Sequence, residues 1–248
     1  MSGHSKWSTI KRKKEKTDAA KAAVFTRIGR EMQVAIREGG SADPSVNFKL
    51  ANIIAKAKAN NVPNENIERA IKKAAGGDGK EYEALTYEGY GPSGVAVIVE
   101  TLTENRNRTA GEMRHYFDKN GGNLGNSGCV SFMFKEKGVI VIDGEDVEED
   151  TLMEEALEAG ASDFQSDGDV FEVITEPDDF MAVSQELEAK GYIFVSAQVE
   201  QVPDTYVTLT DEDAIKNMSR LLEMLDENDD VQNVWHNWEN VDSDDDED

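Results

Sequence analysis

The sequence predicts an α+β fold, in which an N-terminal three-helix domain is followed by two ferredoxin-like α/β domains, the last inserted into the middle one. Three observations lead to this prediction. Apolar residues recur at helical spacing in the first part of the chain, and strands alternate with helices from Tyr82 onward. With a strand at 162–166, residues 137–203 also show the β-α-β-β-α-β order of a ferredoxin-like unit. The flanking segments, 81–136 and 204–240, are therefore expected to fold together.

The first domain, residues 1–80, is expected to contain a basic arm and three short amphipathic helices. The first helix should follow Asp18. The second should begin with Asp43 as its N-cap and Pro44 in its first position, and the third should run from near Asn64 to Gly76-Gly77. The three apolar stripes are Val24, Ile28, Met32 and Ala35; Val46, Leu50, Ile53 and Ala57; and Ile67, Ile71 and Ala74.

Alternation and capping residues predict the elements of the α/β part. Val95, Val97 and Val99 indicate a strand, and a capping box from Thr109 to Glu112 is expected to open a helix containing Met113 and Phe117. A glycine-rich loop, 121–128, should lead into a strand with one face formed by Val130, Phe132 and Phe134. Further strands are expected at 139–142, 162–166, 170–174, 193–199, 206–209 and 231–238, and further helices around 152–159, 180–187 and 215–225.

Composition limits the class of protein. The 248 residues are enough for two or three small domains, and no apolar run is long enough to span a membrane. A single cysteine, Cys129, excludes an internal disulfide framework and a cysteine-based zinc site. The polar, basic start of the chain does not look like a secretory signal. We therefore expect a cytoplasmic protein that does not associate with membranes.

Charge is divided unequally along the chain. Residues 1–80 carry 17 Lys and Arg against 8 Asp and Glu, a net charge of +9, whereas the remaining 168 residues carry a net charge of −34. A phosphate backbone attracts the first part and repels the second, so this division favours nucleic-acid binding through the N-terminal domain. A generally acidic, solvated surface is the alternative, and it does not account for the basic part. The acidic tail, 241–248, is expected to be disordered.

The candidate nucleic-acid contacts are mostly cations of the arm and the first helix. Trp7 is open to two interpretations, since an indole can stack on a base or pack the arm onto the helices. Arg106 and Arg108 lie near a helix N-terminus, where they can either bind a phosphate or hold the local structure. The predicted contact residues are Lys6, Trp7, Lys11, Arg12, Lys13, Lys14, Lys16, Lys21, Arg27, Arg30, Arg106 and Arg108.

The sequence shows no pattern typical of an active site. His4, His115 and His236 are far apart and lack metal-ligand spacing, and Cys129 lies among apolar residues. The loop from Asn120 to Gly128 has no Walker lysine, so we interpret it as a tight loop with residues at positive φ rather than a nucleotide site. We expect no enzyme activity, no cofactor and no metal.

Three segments resemble the YebC family of bacterial regulatory proteins. They are MSGHSKWSTIKRKK, GGSADPSVNFKLANIIAKAKANNVPNENIERAIKKAAG and YEGYGPSGVAVIVETLTENRNRTAGEMRHYFDKNGGNLGNSGCVSFMF. The resemblance implies three domains and a DNA-binding regulator of transcription. Mitochondrial relatives act as translational activators, and bacterial members have been linked to relief of stalled ribosomes. The resemblance therefore also implies an alternative function, that of a ribosome- or RNA-associated translation factor. No oligomeric state is predicted.

Overall fold

The computed structural model of the protein describes residues 18–59, 62–76, 81–167 and 170–240. The predictions for the basic arm and for the acidic tail lie outside these residues. Helices α1 (Asp18–Gly39), α2 (Phe48–Ala59) and α3 (Asn64–Ala75) form the N-terminal unit. Apart from Val46, the residues of the three predicted apolar stripes meet in one core, in which Met32, Leu50 and Ala57 are fully buried.

The start of α2 differs from the prediction. The helix begins at Phe48 and its cap is Asn47, whose side-chain oxygen accepts from the Leu50 amide at 3.1 Å. The amide group of Asn47 also donates to two carbonyl oxygens, those of Ala35 in α1 and of Ser41. These buried hydrogen bonds fix the chain at Asn47, so the segment from Asp43 is a turn instead of a first helical turn, and Val46 is left exposed.

Two antiparallel four-stranded sheets follow. The strands are β1 (Glu83–Tyr90), β2 (Ala96–Thr103), β3 (Asn123–Leu124), β4 (Phe134–Asp143), β5 (Asp163–Asp167), β6 (Val170–Thr175), β7 (Phe194–Pro203) and β8 (Val231–His236). The helices are α4 (Arg106–Lys119), α5 (Glu149–Ala159), α6 (Phe180–Ala189) and α7 (Glu212–Asp226). The first sheet has the order β3-β1-β2-β8 and the second β5-β6-β4-β7.

The first sheet is assembled from two distant parts of the chain. Its strand β2 pairs with β1 from the same segment and with β8 near the end of the described chain. Helices α4 and α7 cover one face, where Val97, Met113, Phe117 and Leu222 are buried. On the opposite face Ile98 and Trp235 pack against Val130 and Phe134. Both faces of this sheet are therefore covered.

The second sheet lies between these two parts. Its order and its β-α-β-β-α-β connectivity are those of a ferredoxin-like unit. Helices α5 and α6 cover one face through Leu152 and Leu187, which pack with Ile140 and Val173. The predicted fold class is confirmed: a helical N-terminal region precedes two α/β units. The first unit differs in detail, because it starts with the hairpin β1-β2 rather than a strand-helix-strand crossover.

Three local predictions were wrong. Helix α4 begins at Arg106, because the Asn105 side chain caps it by accepting from the Arg108 amide, so Thr109 already lies inside the helix. Residues 131–133 form a helical turn rather than a strand, which breaks the common face expected for Val130, Phe132 and Phe134. The strand predicted at 206–209 is reduced to a single bridge between Val207 and Trp238. The division of the chain into domains stays a prediction.

Candidate nucleic-acid interface

The cations of the helical unit fall into two groups. Arg37, Lys49, Lys56 and Arg69 form ion pairs with carboxylates at 2.5–3.0 Å. Lys58 at the end of α2, and Lys72 and Lys73 at the end of α3, are exposed and have no ion-pair partner within the described ranges. The positive charge available to an external anion therefore lies at the C-terminal ends of these two helices.

Arg27 and Arg30, two of the predicted contact residues, point from α1 onto the first α/β unit. The guanidinium of Arg27 is buried, donates to the Asp226 carbonyl and lies 3.2 Å from the Asp226 carboxylate. Arg30 donates to the carbonyls of Leu102 and Asp229, and its guanidinium lies 5.3 Å from the centre of the Tyr82 ring. Cations at the C-terminal end of α7 are favoured by its unpaired carbonyls and its dipole. The two arginines therefore attach α1 to this end of α7.

Asp230 is the centre of this junction. Its carboxylate accepts from Arg30 at 2.8 Å, from Arg108 at 2.5 Å and from the Thr109 hydroxyl at 2.7 Å, and its side chain is only 4% exposed. Burial by itself would raise the pKa of Asp230, but the hydrogen bonds from Thr109 and Arg108 outweigh it and hold the pKa below the usual value. Two guanidinium groups from different units thus share one buried carboxylate.

The other predicted contact residues lie elsewhere. Arg106 is exposed at the start of α4 and forms an ion pair with Glu83 at 3.3 Å. Lys21 belongs to α1, and nothing is described of its side chain. The predicted contacts of the arm lie outside the described residues; they are Lys6, Trp7, Lys11, Arg12, Lys13, Lys14 and Lys16. The structure therefore brings together Arg27, Arg30 and Arg108 but not Arg106, and the assignment of all twelve to nucleic acid stays a prediction.

The sequence analysis missed the acceptors of this junction. Asp226 and Asp230 are two of many carboxylates in an acidic segment, and nothing in their spacing indicates that Arg27 and Arg30, about 200 residues earlier, are their partners. It also missed the exposed lysines, although Lys72 and Lys73 are adjacent cations in the last turn of a predicted helix.

The glycine-rich loop has a structural explanation. Its amides of Gly128, Val130 and Ser131 donate to the carboxylate of Glu88 at 2.7, 2.9 and 2.8 Å. Burial opposes ionisation of Glu88, yet these donors lower its pKa below the usual value. Gly121 and Gly128 have positive φ, which confirms the tight loop that was predicted. A carboxylate of the chain itself therefore occupies the amide cradle that a phosphate would need.

Metal binding, cysteine catalysis and membrane insertion find little support in the described part of the chain. It contains no group of His, Cys, Asp and Glu side chains arranged to hold a metal ion. Burial, together with the nearby charge of Glu88, raises the pKa of the Cys129 thiol, which disfavours the nucleophilic thiolate. None of the helices in the described ranges is both long and apolar enough to cross a bilayer.

Comparison with known proteins places the chain in a family. Residues 82–238 match the family model described as "TACO1/YebC second and third domain", and residues 5–77 match the one described as "TACO1/YebC protein N-terminal domain". Proteins named "Probable transcriptional regulatory protein" from Ruminiclostridium cellulolyticum and Acetivibrio thermocellus are each 60% identical; the first match covers 92% of both chains, and the second covers 94% of this chain and 96% of that protein.

A solved structure agrees with this placement. The crystal structure of a conserved hypothetical protein from Aquifex aeolicus superposes with a TM-score of 0.81 at 44% identity, covering 90% of this chain and 91% of that one. The relatives' printed names indicate a regulatory protein rather than an enzyme. With both of its parts matched by family models, this chain belongs to the TACO1/YebC family.

Proposed function

We propose that this protein is a non-enzymatic regulator that binds nucleic acid. The first candidate function is DNA-binding regulation of transcription. The observation that carries the proposal is the division of charge, +9 over residues 1–80 and −34 over the rest. Phosphates are attracted to the first part and repelled by the second, so the helical unit with its arm faces the polymer. We place the protein in the cytoplasm, the compartment that suits both a free cysteine and this partner.

The arm supplies the main contacts in this proposal. Lys11, Arg12, Lys13 and Lys14 are four consecutive cations, and each phosphate neutralised by such a residue releases counterions. Further phosphate contacts come from Lys58, Lys72 and Lys73, which are exposed and form no ion pair within the described ranges. Arg27, Arg30 and Arg108 serve indirectly, because their guanidinium groups hold the helical unit against the α/β unit.

A second candidate is a ribosome- or RNA-associated translation factor. Phe48 favours it: this ring begins α2, is 79% exposed and lies next to Lys49. An exposed aromatic ring is typical of proteins that stack on unpaired bases, which RNA offers more often than duplex DNA. Both candidates need the basic N-terminal unit, and they differ in the polymer that it contacts.

The test combines a charge reversal with two probes. We expect Lys11→Glu, Lys13→Glu and Lys14→Glu together to weaken binding to a DNA duplex and to a ribosomal RNA hairpin, and to reduce the salt slope by about one unit per lost phosphate contact. Lys137→Glu, a reversal in the acidic unit, is the control and should leave both affinities nearly unchanged. Undiminished binding of the triple variant at moderate salt would refute the arm as the contact surface.

Cross-linking in cells then separates the two candidates. Sequencing of both the bound DNA and the bound RNA from one sample shows which polymer dominates. Reads dominated by ribosomal RNA would favour the translation factor, whereas reads concentrated at promoter regions would favour the transcriptional regulator.

A further inference from the structure

One surface of the α/β part differs from its acidic surroundings. Residues 119–135 contain no Asp or Glu, although acidic residues make up 43 of the 168 positions from 81 onward, about one in four. The same stretch contains three asparagines and four glycines. It connects α4 to β4 through β3 and the turn at 131–133. A phosphate can approach this stretch without meeting a carboxylate of the stretch itself.

The turn at the end of this stretch is held firmly. Besides the three amide hydrogen bonds to the Glu88 carboxylate, the Tyr90 hydroxyl donates to the Cys129 carbonyl at 3.1 Å. On the other side the Asp204 amide donates to the Met133 carbonyl at 2.8 Å. Buried charged hydrogen bonds of this kind are among the stronger ones in proteins. The backbone that carries Phe132 is therefore fixed from both sides.

This fixed turn exposes an aromatic ring. Val130 and Phe134 are buried against the first sheet, whereas Phe132 between them is 72% exposed. The fold gains little from a ring in this position, because most of its apolar surface remains in water. A large ring presented on a rigid support has instead the properties of a binding residue.

We propose that Phe132 stacks on an unpaired base of the bound nucleic acid, with residues 119–135 as a second contact surface beside the basic arm. The inference rests on the proposed function and, of its two candidates, favours the one whose polymer offers unpaired bases. Duplex bases do not expose their faces to a side chain, whereas bases in single strands, loops and bulges do. Stacking is tolerant of sequence, since every base has a π-face.

The surroundings of the ring favour a base over a protein. The exposed neighbours in the loop are polar and uncharged, including Asn126, Ser127 and Ser131, rather than an apolar rim that would bury a ring in a protein interface. Two residues with carboxylates are hydrogen-bonded to the turn, and the exposed Glu136 follows it in β4. Glu88 is buried with its oxygens engaged by amides, and Asp204 is neutralised by Lys135 at 2.7 Å. Neither presents an unbalanced charge to a phosphate.

The experiment uses the full chain and two probes, an RNA hairpin with an unpaired loop and a fully paired duplex with the same stem. Phe132→Ala should weaken binding to the hairpin by roughly 5- to 150-fold, the effect expected for loss of one stacked base. Its affinity for the duplex and its salt slope should not change, because a ring neutralises no phosphate. Phe132→Trp should restore hairpin binding. Ile193→Ala, which truncates another apolar side chain that is 85% exposed, is the control and should bind both probes normally.

The outcomes separate this inference from the proposed function. Unchanged hairpin binding by Phe132→Ala, an equal loss on both probes, or a failure of Phe132→Trp to bind better than Phe132→Ala would each overturn the stacking role. If the wild-type protein bound neither of these probes nor the DNA duplex of the earlier test, the proposed function itself would fail. If the wild type bound both probes and the triple arm variant bound neither, while Phe132→Ala behaved as wild type, only this inference would fail.

Discussion

Replacement of Asp230 by asparagine tests the junction between the helical unit and the first α/β unit. The substitution keeps the shape of the side chain but removes the charge that Arg30 and Arg108 share. In the wild type the Thr109 hydroxyl donates to the Asp230 carboxylate. The amide group of the asparagine would bring its own hydrogens toward this hydroxyl and toward the two arginines. We therefore expect Asp230→Asn to fold, to be less stable, and to hold α1 less firmly.

The size of the effect follows from the burial of the partners. Removal of one partner from a buried ion pair typically costs about 3–5 kcal/mol. Here Arg30 is largely buried, but the side chain of Arg108 is 42% exposed, so water compensates part of its loss. We expect Asp230→Asn to lower the free energy of unfolding by about 2–3 kcal/mol, and the Tm by roughly 5–10 °C for a chain of this length.

The pH dependence distinguishes the ion pairs from simple packing. Because the folded protein holds the pKa of Asp230 below the ordinary aspartate value of 3.8, the carboxylate contributes fully above that value. Its contribution to stability is lost as pH falls through the lower, folded-state pKa. The Tm difference between wild type and Asp230→Asn should therefore stay constant from about pH 7 to 5 and shrink toward about pH 3. Thermal unfolding followed by circular dichroism measures this difference.

The neighbouring residue offers a matched control. Asp229 is exposed and contacts Arg30 through its backbone carbonyl, so Asp229→Asn should change the Tm by no more than about 1 °C. A Tm difference for Asp230→Asn that is absent at neutral pH, or that is as large at pH 3 as at pH 7, would refute the account of the junction.

Two further predictions concern the arginines of α4 and the domain division. Arg108→Ala should lower the Tm without changing the salt slope of nucleic-acid binding, because Arg108 pairs with Asp230. Arg106→Ala should leave the Tm unchanged and, if Arg106 contacts a phosphate, reduce the salt slope by about one unit. Measuring Tm and slope for both variants tests the two roles separately. Excision of residues 137–203 with a short linker should leave a cooperatively unfolding protein, since Phe134 and Pro203 are paired neighbours where the chain enters and leaves the second sheet. Gradual, non-cooperative unfolding of the excised protein would count against an inserted domain.

The fold was predictable where patterns are local. Helical stripes such as Ile28, Met32 and Ala35 bury one face of an amphipathic helix, and alternation in Val95, Val97 and Val99 buries one face of a strand. The predictions failed where one residue's partner decides the backbone. Asn47 caps α2 because its amide group reaches carbonyls outside the helix, and the turn after Val130 forms because Glu88 accepts its amides. Neither partner can be identified from sequence spacing.

The same limit applies to the candidate interface. A count of charges identifies the basic N-terminal part correctly but treats all its cations as equivalent. The structure separates them by their partners: Arg27 and Arg30 meet carboxylates and carbonyls of residues 226–230, while Lys72 and Lys73 face solvent. These partners lie about 200 residues away along the chain, beyond the range of any local pattern.

The junction also bears on how one chain combines a basic unit with a strongly acidic one. Unpaired carboxylates beside the basic unit would repel the phosphates that its arm attracts, over a range of about 8–10 Å at ordinary ionic strength. At the junction this repulsion is removed locally, because Asp226 and Asp230 are paired with arginines of α1 and α4. The cations nearest the acidic unit thus neutralise it, whereas Lys58 on α2 and Lys72 and Lys73 on α3 remain exposed. In the proposed function, Arg27, Arg30 and Arg108 therefore have a structural role at this junction rather than a role as phosphate contacts.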